Sequence, residues 1–203
     1  MRNYIYILLL FVLGFTSYDL SAQERIIETT RNHQLSVGGM FATSNQLISI
    51  YVLAFEDIFS DYDIEGLEVV PFNVQYRYRP NRRLWIGFDF AYEVLRYNYQ
   101  KGNERRGSGE AQFLTGAFKL DFHYIDRPMF KMYSGIGFAY TSLDLDRDRI
   151  DDTGYREQHD MEELFPNFQL TLAGFRIGNQ FAFFTEIGVG YAGVVNAGFS
   201  LRL

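Results

Sequence analysis

Leu84-Trp85-Ile86-Gly87-Phe88-Asp89-Phe90-Ala91-Tyr92-Glu93-Val94 is the stretch that decides the fold. Leu84, Ile86, Phe88, Phe90, Tyr92 and Val94 share one parity; Trp85, Gly87, Asp89, Ala91 and Glu93 share the other. Successive side chains of a strand point to opposite faces, so this segment has one bulky apolar face and one small or charged face. A helix would mix the two sets. The same split recurs upstream, where Val70, Phe72, Val74, Tyr76 and Tyr78 oppose Asn73, Gln75 and Arg77. Downstream, Leu114, Phe118, Leu120, Phe122 and Tyr124 oppose Thr115, Lys119, Asp121 and His123. Phe130, Met132, Ile136, Phe138 and Tyr140 oppose Lys131, Tyr133, Gly135, Gly137 and Thr141. Near the C-terminus, Ile187, Val189 and Tyr191 oppose Glu186, Gly188 and Gly190, and Val195, Ala197, Phe199, Leu201 and Leu203 oppose Asn196, Gly198, Ser200 and Arg202. Asn167 to Ile177 is less regular, because Arg176 falls on its apolar phase; a bulge or an interfacial position would explain it. With Leu35 to Thr43 as the first, these segments make eight strands.

The connections alternate in character. Turns are short at Arg79-Pro80-Asn81-Arg82, Asp126-Arg127-Pro128 and Gly178-Asn179-Gln180, and polar connections are long at 44–66, 101–109 and 144–163. The last hairpin, near Ala192-Gly193, is the exception. This asymmetry is that of an outer-membrane barrel, with short periplasmic turns, long external loops and both chain termini on the periplasmic side.

Period two alone does not say which face is inside. A secreted lipocalin-like barrel would turn its apolar face inward. Three features favour the reverse. Phe and Leu recur along nearly every strand, too much volume for a narrow lumen. The opposite face is rich in small residues with a few charges. Tyrosines cluster at the strand ends of the apolar face, with Tyr76, Tyr78 and Tyr124 at the turn end and Tyr92, Tyr140 and Tyr191 at the loop end, where lipid–water interfaces place aromatic belts. The expected fold is an all-β, eight-stranded antiparallel up-and-down transmembrane β-barrel.

The segment Val74-Gln75-Tyr76-Arg77-Tyr78-Arg79-Pro80-Asn81, with a Tyr-x-Tyr-Arg strand end before a tight turn, resembles the small eight-stranded outer-membrane barrels of the OmpX and OmpA-transmembrane type. The resemblance covers most of the chain after its leader and rests on patterns rather than on invariant residues. It implies insertion by the barrel-assembly machinery and contact with outer-membrane lipid and lipopolysaccharide. Such families usually end in an aromatic residue; this sequence departs from them in ending Phe199-Ser200-Leu201-Arg202-Leu203. No peptidoglycan-binding domain is expected after that strand.

Composition narrows the alternatives. Aromatic residues make up 18% of the 203, and the net charge of −6 gives no electrostatic case for nucleic acid. The absence of cysteine excludes disulfides, zinc–thiolate sites, thiol catalysis and a lipidated N-terminal cysteine. Arg2, the uncharged run from Tyr4 to Phe15, and Leu20-Ser21-Ala22 before Gln23 read as a signal peptide over 1–22, leaving 23–203 as the barrel domain. No later apolar run approaches the ~20 residues of a spanning helix.

Candidate chemistry is sparse. Arg77, Lys119, Lys131 and Arg202 share the polar face with Asp89, Glu93, Asp121 and Glu186, balanced charges that suit a static interior network better than a gated ion path. His123 points inward by parity, and His33 and His159 have no obvious positioned serine, so the pairing a lipid-modifying enzyme needs is not evident. Asp144, Asp146, Asp148, Asp151 and Asp152, followed by Glu157, Asp160, Glu162 and Glu163, open like a calcium loop. Arg149 and Tyr155 stand where that motif needs Gly and Glu. Lys101, Arg105 and Arg106 either meet anionic head groups or simply solvate a turn. Leu47, Tyr51, Phe55, Ile58 and Phe59 fit either an amphipathic helix capping the barrel or a strand extension. The expectation is a structural or surface-interacting barrel without cofactor, metal or turnover, its extracellular ligand unspecified. A lipid-modifying enzyme, a narrow pore and a soluble barrel are the alternatives.

Overall fold

The computed structural model describes residues 31–59, 63–101, 104–150 and 156–203; within these, side chains are described except at 56–59, 63–68, 70, 101, 104–106, 149–150 and 156–160. The expected signal peptide lies outside the described residues. Eight antiparallel strands form a closed up-and-down barrel in sequence order: β1 (His33–Phe41), β2 (Asp63–Tyr78), β3 (Leu84–Lys101), β4 (Glu104–Asp126), β5 (Phe130–Ile150), β6 (Arg156–Gly178), β7 (Phe181–Gly190) and β8 (Val195–Arg202). Among the described residues a single helix, α1 (Ser44–Phe59), follows β1. The barrel closes where β1 pairs with β8, with Val37 opposite Phe199.

The faces sort as the sequence alternation requires. Phe88 and Phe118 are cross-strand neighbours with ring centroids 5.7 Å apart, and both lie on the outer surface, 54% and 40% exposed. Phe90, Phe138, Phe168 and Phe199 are exposed around the same circumference, while Arg77, Asp89, Lys119 and Glu186 are buried inside. Arg176 also comes to lie inside. Pairing slips between Thr171 and Ala173, a bulge that shifts the parity of the rest of β6 and turns Arg176 into the lumen.

Three expectations need correction. The connections 101–109 and 144–163 are mostly strand: β3 runs to Lys101, β4 starts at Glu104, β5 reaches Ile150 and β6 starts at Arg156. In the segment 44–66 the amphipathic helix, one of the two readings of its spacing, is the one that forms, and the first strand ends at Phe41 rather than Thr43. Ala42, at φ 53°, turns the chain, and Thr43 becomes the helix cap. Tyr191 does not belong to the outer tyrosine belt. Gly190, at φ 136°, breaks the extended backbone at the end of β7 and carries the Tyr191 ring inward, where it is fully buried. Tyr76, Tyr78, Tyr124 and Tyr140 are exposed on the outer face, and Tyr92 is half-buried there against Phe72.

Strand lengths are unequal. β4 and β6 have 23 residues, whereas β1, β7 and β8 have 9, 10 and 8. The upper halves of β3–β6 form a wall rising above the ends of β1, β7 and β8 on one side of the barrel.

Candidate functional site

The interior has three levels, set by which residues the inward parity delivers at each height. At the turn end, Trp85 is buried between two guanidinium groups, with Arg202 Cζ 4.7 Å and Arg79 Cζ 5.5 Å from its ring centre. His123 is buried beside it, stacked on Tyr133 with ring centroids 4.8 Å apart. Lys131 pairs with Asp126, a partner at the strand end outside the expected set. Arg176 donates to Ser200 Oγ at 2.9 Å and to the Asn179 carbonyl at 2.8 Å, fastening the β6–β7 turn.

The middle level holds a compact ionic cluster. Arg77 pairs with Asp89 and, through Nε, with Asp121 Oδ2 at 2.7 Å. Lys119 Nζ is 2.7 Å from Glu186 Oε1 and 3.7 Å from Asp121. Two cations thus face three carboxylates, and neutral donors meet the excess negative charge. Tyr133 Oη donates to Glu186 at 3.0 Å, Asn196 Nδ2 to Glu186 at 2.9 Å, and Tyr191 Oη to Asp89 at 2.8 Å. The inward break at Gly190 therefore gives Tyr191 a partner in the lumen. The void between Arg77, Trp85, Asp121 and His123 measures about 10 Å³, room for roughly one water.

Glu93 forms the ceiling of this level, apart from the cluster. Its carboxylate accepts from Thr43 Oγ1 at 2.6 Å, Asn45 Nδ2 at 2.8 Å and Gln46 Nε2 at 3.2 Å. These residues are the N-terminus of α1. Thr43 and Gln46 cap it reciprocally: the Gln46 amide donates to Thr43 Oγ1 at 3.1 Å, and the Thr43 amide to Gln46 Oε1 at 3.3 Å. A carboxylate at a helix N-terminus is favoured by the helix dipole and by otherwise unmet donors. Glu93 thus docks α1 across the mouth of the barrel.

Above Glu93 the interior becomes apolar. Leu95, Ala111, Phe113 and Leu145 are buried together, with Leu143 and Phe165 packed against them. Leu53 of α1 is buried on this side, Ile48 and Val52 border the same space while staying largely exposed, and a cavity of about 360 Å³ lies between helix and wall. Tyr97 lines it and is 3% exposed, yet its hydroxyl has no hydrogen-bond partner. Its ring lies over Gly109, the residue opposite it on β4, where a Cβ would come within 2.3 Å of the ring.

Of the eight charges expected inside, Arg77, Asp89, Lys119, Asp121 and Glu186 come together; Glu93, Lys131 and Arg202 lie at other levels with other partners. His33 lies at the rim of the turn end with Nδ1 2.7 Å from Tyr76 Oη. The side chains of His159, Lys101, Arg105 and Arg106 and of Asp151, Asp152, Glu157 and Asp160 lie outside those described. Among the described residues, no group of acidic and histidine side chains is arranged to hold a metal ion.

The apolar upper chamber is absent from the sequence expectations, although its signal is present. After Val94 the phase of β3 inverts: Leu95, Tyr97 and Tyr99 are apolar where Arg96, Asn98 and Gln100 are polar, and Leu143 and Leu145 stand among Ser142, Asp144 and Asp146 on β5. No protein-family model, curated protein or solved structure matches this chain.

Proposed function

We propose that this chain is an outer-membrane β-barrel protein, exported through its N-terminal segment, that acts structurally or in surface interactions without turnover. The observation that carries the reading is the reversal of faces at one height. From Leu84 to Tyr92 the bulky apolar residues of β3 other than the inward Trp85 face outward and the charged ones inward; Val94 is buried, and from Leu95 onward buried apolar residues face inward while exposed Arg96 faces out. An apolar exterior band of this kind needs an apolar surrounding, because exposed apolar patches beyond a few hundred Å² are uncommon on soluble monomers. The band spans about the ~9–11 residues a bilayer requires. Its edges carry Tyr76, Tyr78 and Tyr124 at one end and Tyr92 and Tyr140 at the other, as interfacial belts do.

On this reading the partners are outer-membrane lipid and lipopolysaccharide, with the barrel-assembly machinery during biogenesis. The external face is α1 with the tall wall of β3–β6. On this reading the paired middle level serves an anchor rather than a pore, and His123, buried against the Trp85 and Tyr133 rings, fills the interior. Cell fractionation with comparison of unheated and boiled gel migration tests the proposal. Heat-sensitive mobility in the outer-membrane fraction is expected; recovery in the periplasm without detergent would overturn it. Planar-bilayer recordings are expected to give no discrete conductance.

A further inference from the structure

We infer that the chamber above Glu93 is a binding site for a medium-chain alkyl molecule bearing one neutral hydrogen-bond acceptor. The chamber is concave and walled by two independent elements, α1 and the inward face of β3–β6. Its volume of about 360 Å³ lies within the ~300–1,000 Å³ range of ligand pockets. At about 30 Å³ for each non-hydrogen atom, the share of a water in the liquid, it holds roughly a dozen such atoms. That is one chain of medium length and too little for a two-chain lipid. The walls are hydrocarbon from Leu95, Phe113, Leu145, Val52 and Leu53, so most of the guest must be apolar.

Tyr97 supplies the second requirement. Buried hydroxyls are nearly always paired, and this one is buried without a partner at the edge of the chamber. It can donate to an oxygen on the guest. Arg147 and Glu163 bring opposite charges to the lining, so the lining as a whole favours a neutral polar group over an ionised one. Gly109 has a specific part: the Tyr97 ring occupies the space a side chain there would fill, and this sets where the hydroxyl sits. The inference extends beyond the proposed membrane role and holds whether or not the outer band meets lipid.

The test is equilibrium dialysis of radiolabelled 1-decanol and of decane against the full chain in lipid nanodiscs, with empty nanodiscs as the partition baseline. If fractionation returns the protein in soluble form, the same titration is run in buffer, so failure of the membrane reading stays separate from failure of this one. Saturable uptake of one equivalent of decanol is expected. Ala111→Phe, which projects a ring into the chamber and takes up about half of it at ~30 Å³ per atom, should weaken binding of both probes at least tenfold. Tyr97→Phe should weaken decanol about three- to tenfold, the worth of one hydrogen bond, and leave decane unchanged. Unheated gel mobility reports folding. If Ala111→Phe lacks the folded band, Leu143→Phe on the same wall replaces it. Uptake no different from empty nanodiscs, or equal in the wild type and the filled variant, would overturn the inference. Equal loss of decanol and decane in Tyr97→Phe would remove the hydrogen-bonding role.

Discussion

Glu93 and Leu95 are two residues apart on the same face of the same strand, yet they belong to different kinds of interior. Below Glu93 the interior combines ion pairs, and the amides and hydroxyls that serve them, with the buried apolar side chains of Met40, Ala91, Ala117, Trp85 and Phe184; above it the inward residues are mainly Leu, Ala, Phe and Tyr. The walls are continuous, with Glu93 opposite Phe113 and Phe113 opposite Leu143. What changes is the outer face. Where that face is Phe and Leu, the polar side chains can only be inside; where it is Arg96, Asp144 and Asp146, the apolar ones are free to gather within. One sheet thus has an inverted core and a conventional one stacked end to end, and Glu93, capped by α1, is the partition.

The comparison is broken most severely at Arg77. Removing it by Arg77→Ala leaves Asp89 and Asp121 buried without their guanidinium, and deleting one partner of a buried pair costs about 3–5 kcal/mol. A fall of that size is expected in urea unfolding of the folded barrel. An Arg77→Met, Asp89→Asn, Asp121→Asn triple variant should recover much of it, because no unpaired charge remains. In the upper chamber the loss is of packing alone. Leu95→Ala is expected to cost roughly 2–3 kcal/mol, toward the low end for a buried leucine because its side chain already borders a cavity. Hydrogen exchange should localise that loss to the upper halves of β3 and β4 and spare the ionic level.

The inverted half was largely legible in the sequence, because period two is a local signal and the outer Phe and Leu are insistent. Strand pairing, the short turns and the inward set around Arg77, Lys119 and Glu186 all followed from parity. Parity fails where the backbone departs from extended geometry. Arg176 and Tyr191 both ended inside for that reason, one through the bulge near Thr171 and the other through the left-handed Gly190. The upper chamber was lost differently. Its residues sit in stretches that read as polar loops because the outward positions are Asp, Arg and Asn, while the inward Leu and Tyr look like scattered exceptions. α1 could not be chosen over a strand extension from spacing alone. Its decisive contact is the tertiary one to Glu93, 47 to 50 residues away along the chain.

The partition itself is tested by Glu93→Gln, which keeps the shape and removes the charge. The amide replaces one of the two acceptor oxygens with an N–H donor facing the donors of Thr43, Asn45 and Gln46, and a buried hydrogen bond left unmade costs about 1–3 kcal/mol. A loss of about 1–2 kcal/mol is expected. It should show as faster exchange of the first α1 amides, including Leu47, whose amide bonds the Thr43 carbonyl. Unchanged exchange there would mean that α1 is held by its contacts with the wall instead.

The smallest effect lies on the outer surface above the tyrosine belt. Arg96 Nε donates to Glu110 Oε2 at 2.6 Å, and Gln112 donates to the other oxygen at 2.7 Å while accepting from Tyr92 at 3.1 Å. The bond from Arg96 holds the Glu110 carboxyl below the usual carboxylate range, against the weaker opposing pull of slight burial. A carboxyl depressed in the folded state contributes its stability above its unfolded pKa and loses it as the pH falls through the folded one. Both side chains are substantially exposed, so solvent screening limits the pair to ~0.2–1 kcal/mol. Arg96→Ala is expected to lower stability by that amount at neutral pH and by nothing once Glu110 is protonated, and raised salt should shrink the difference. A cost that persisted unchanged at acid pH would place the contribution of Arg96 in packing against the wall rather than in its charge.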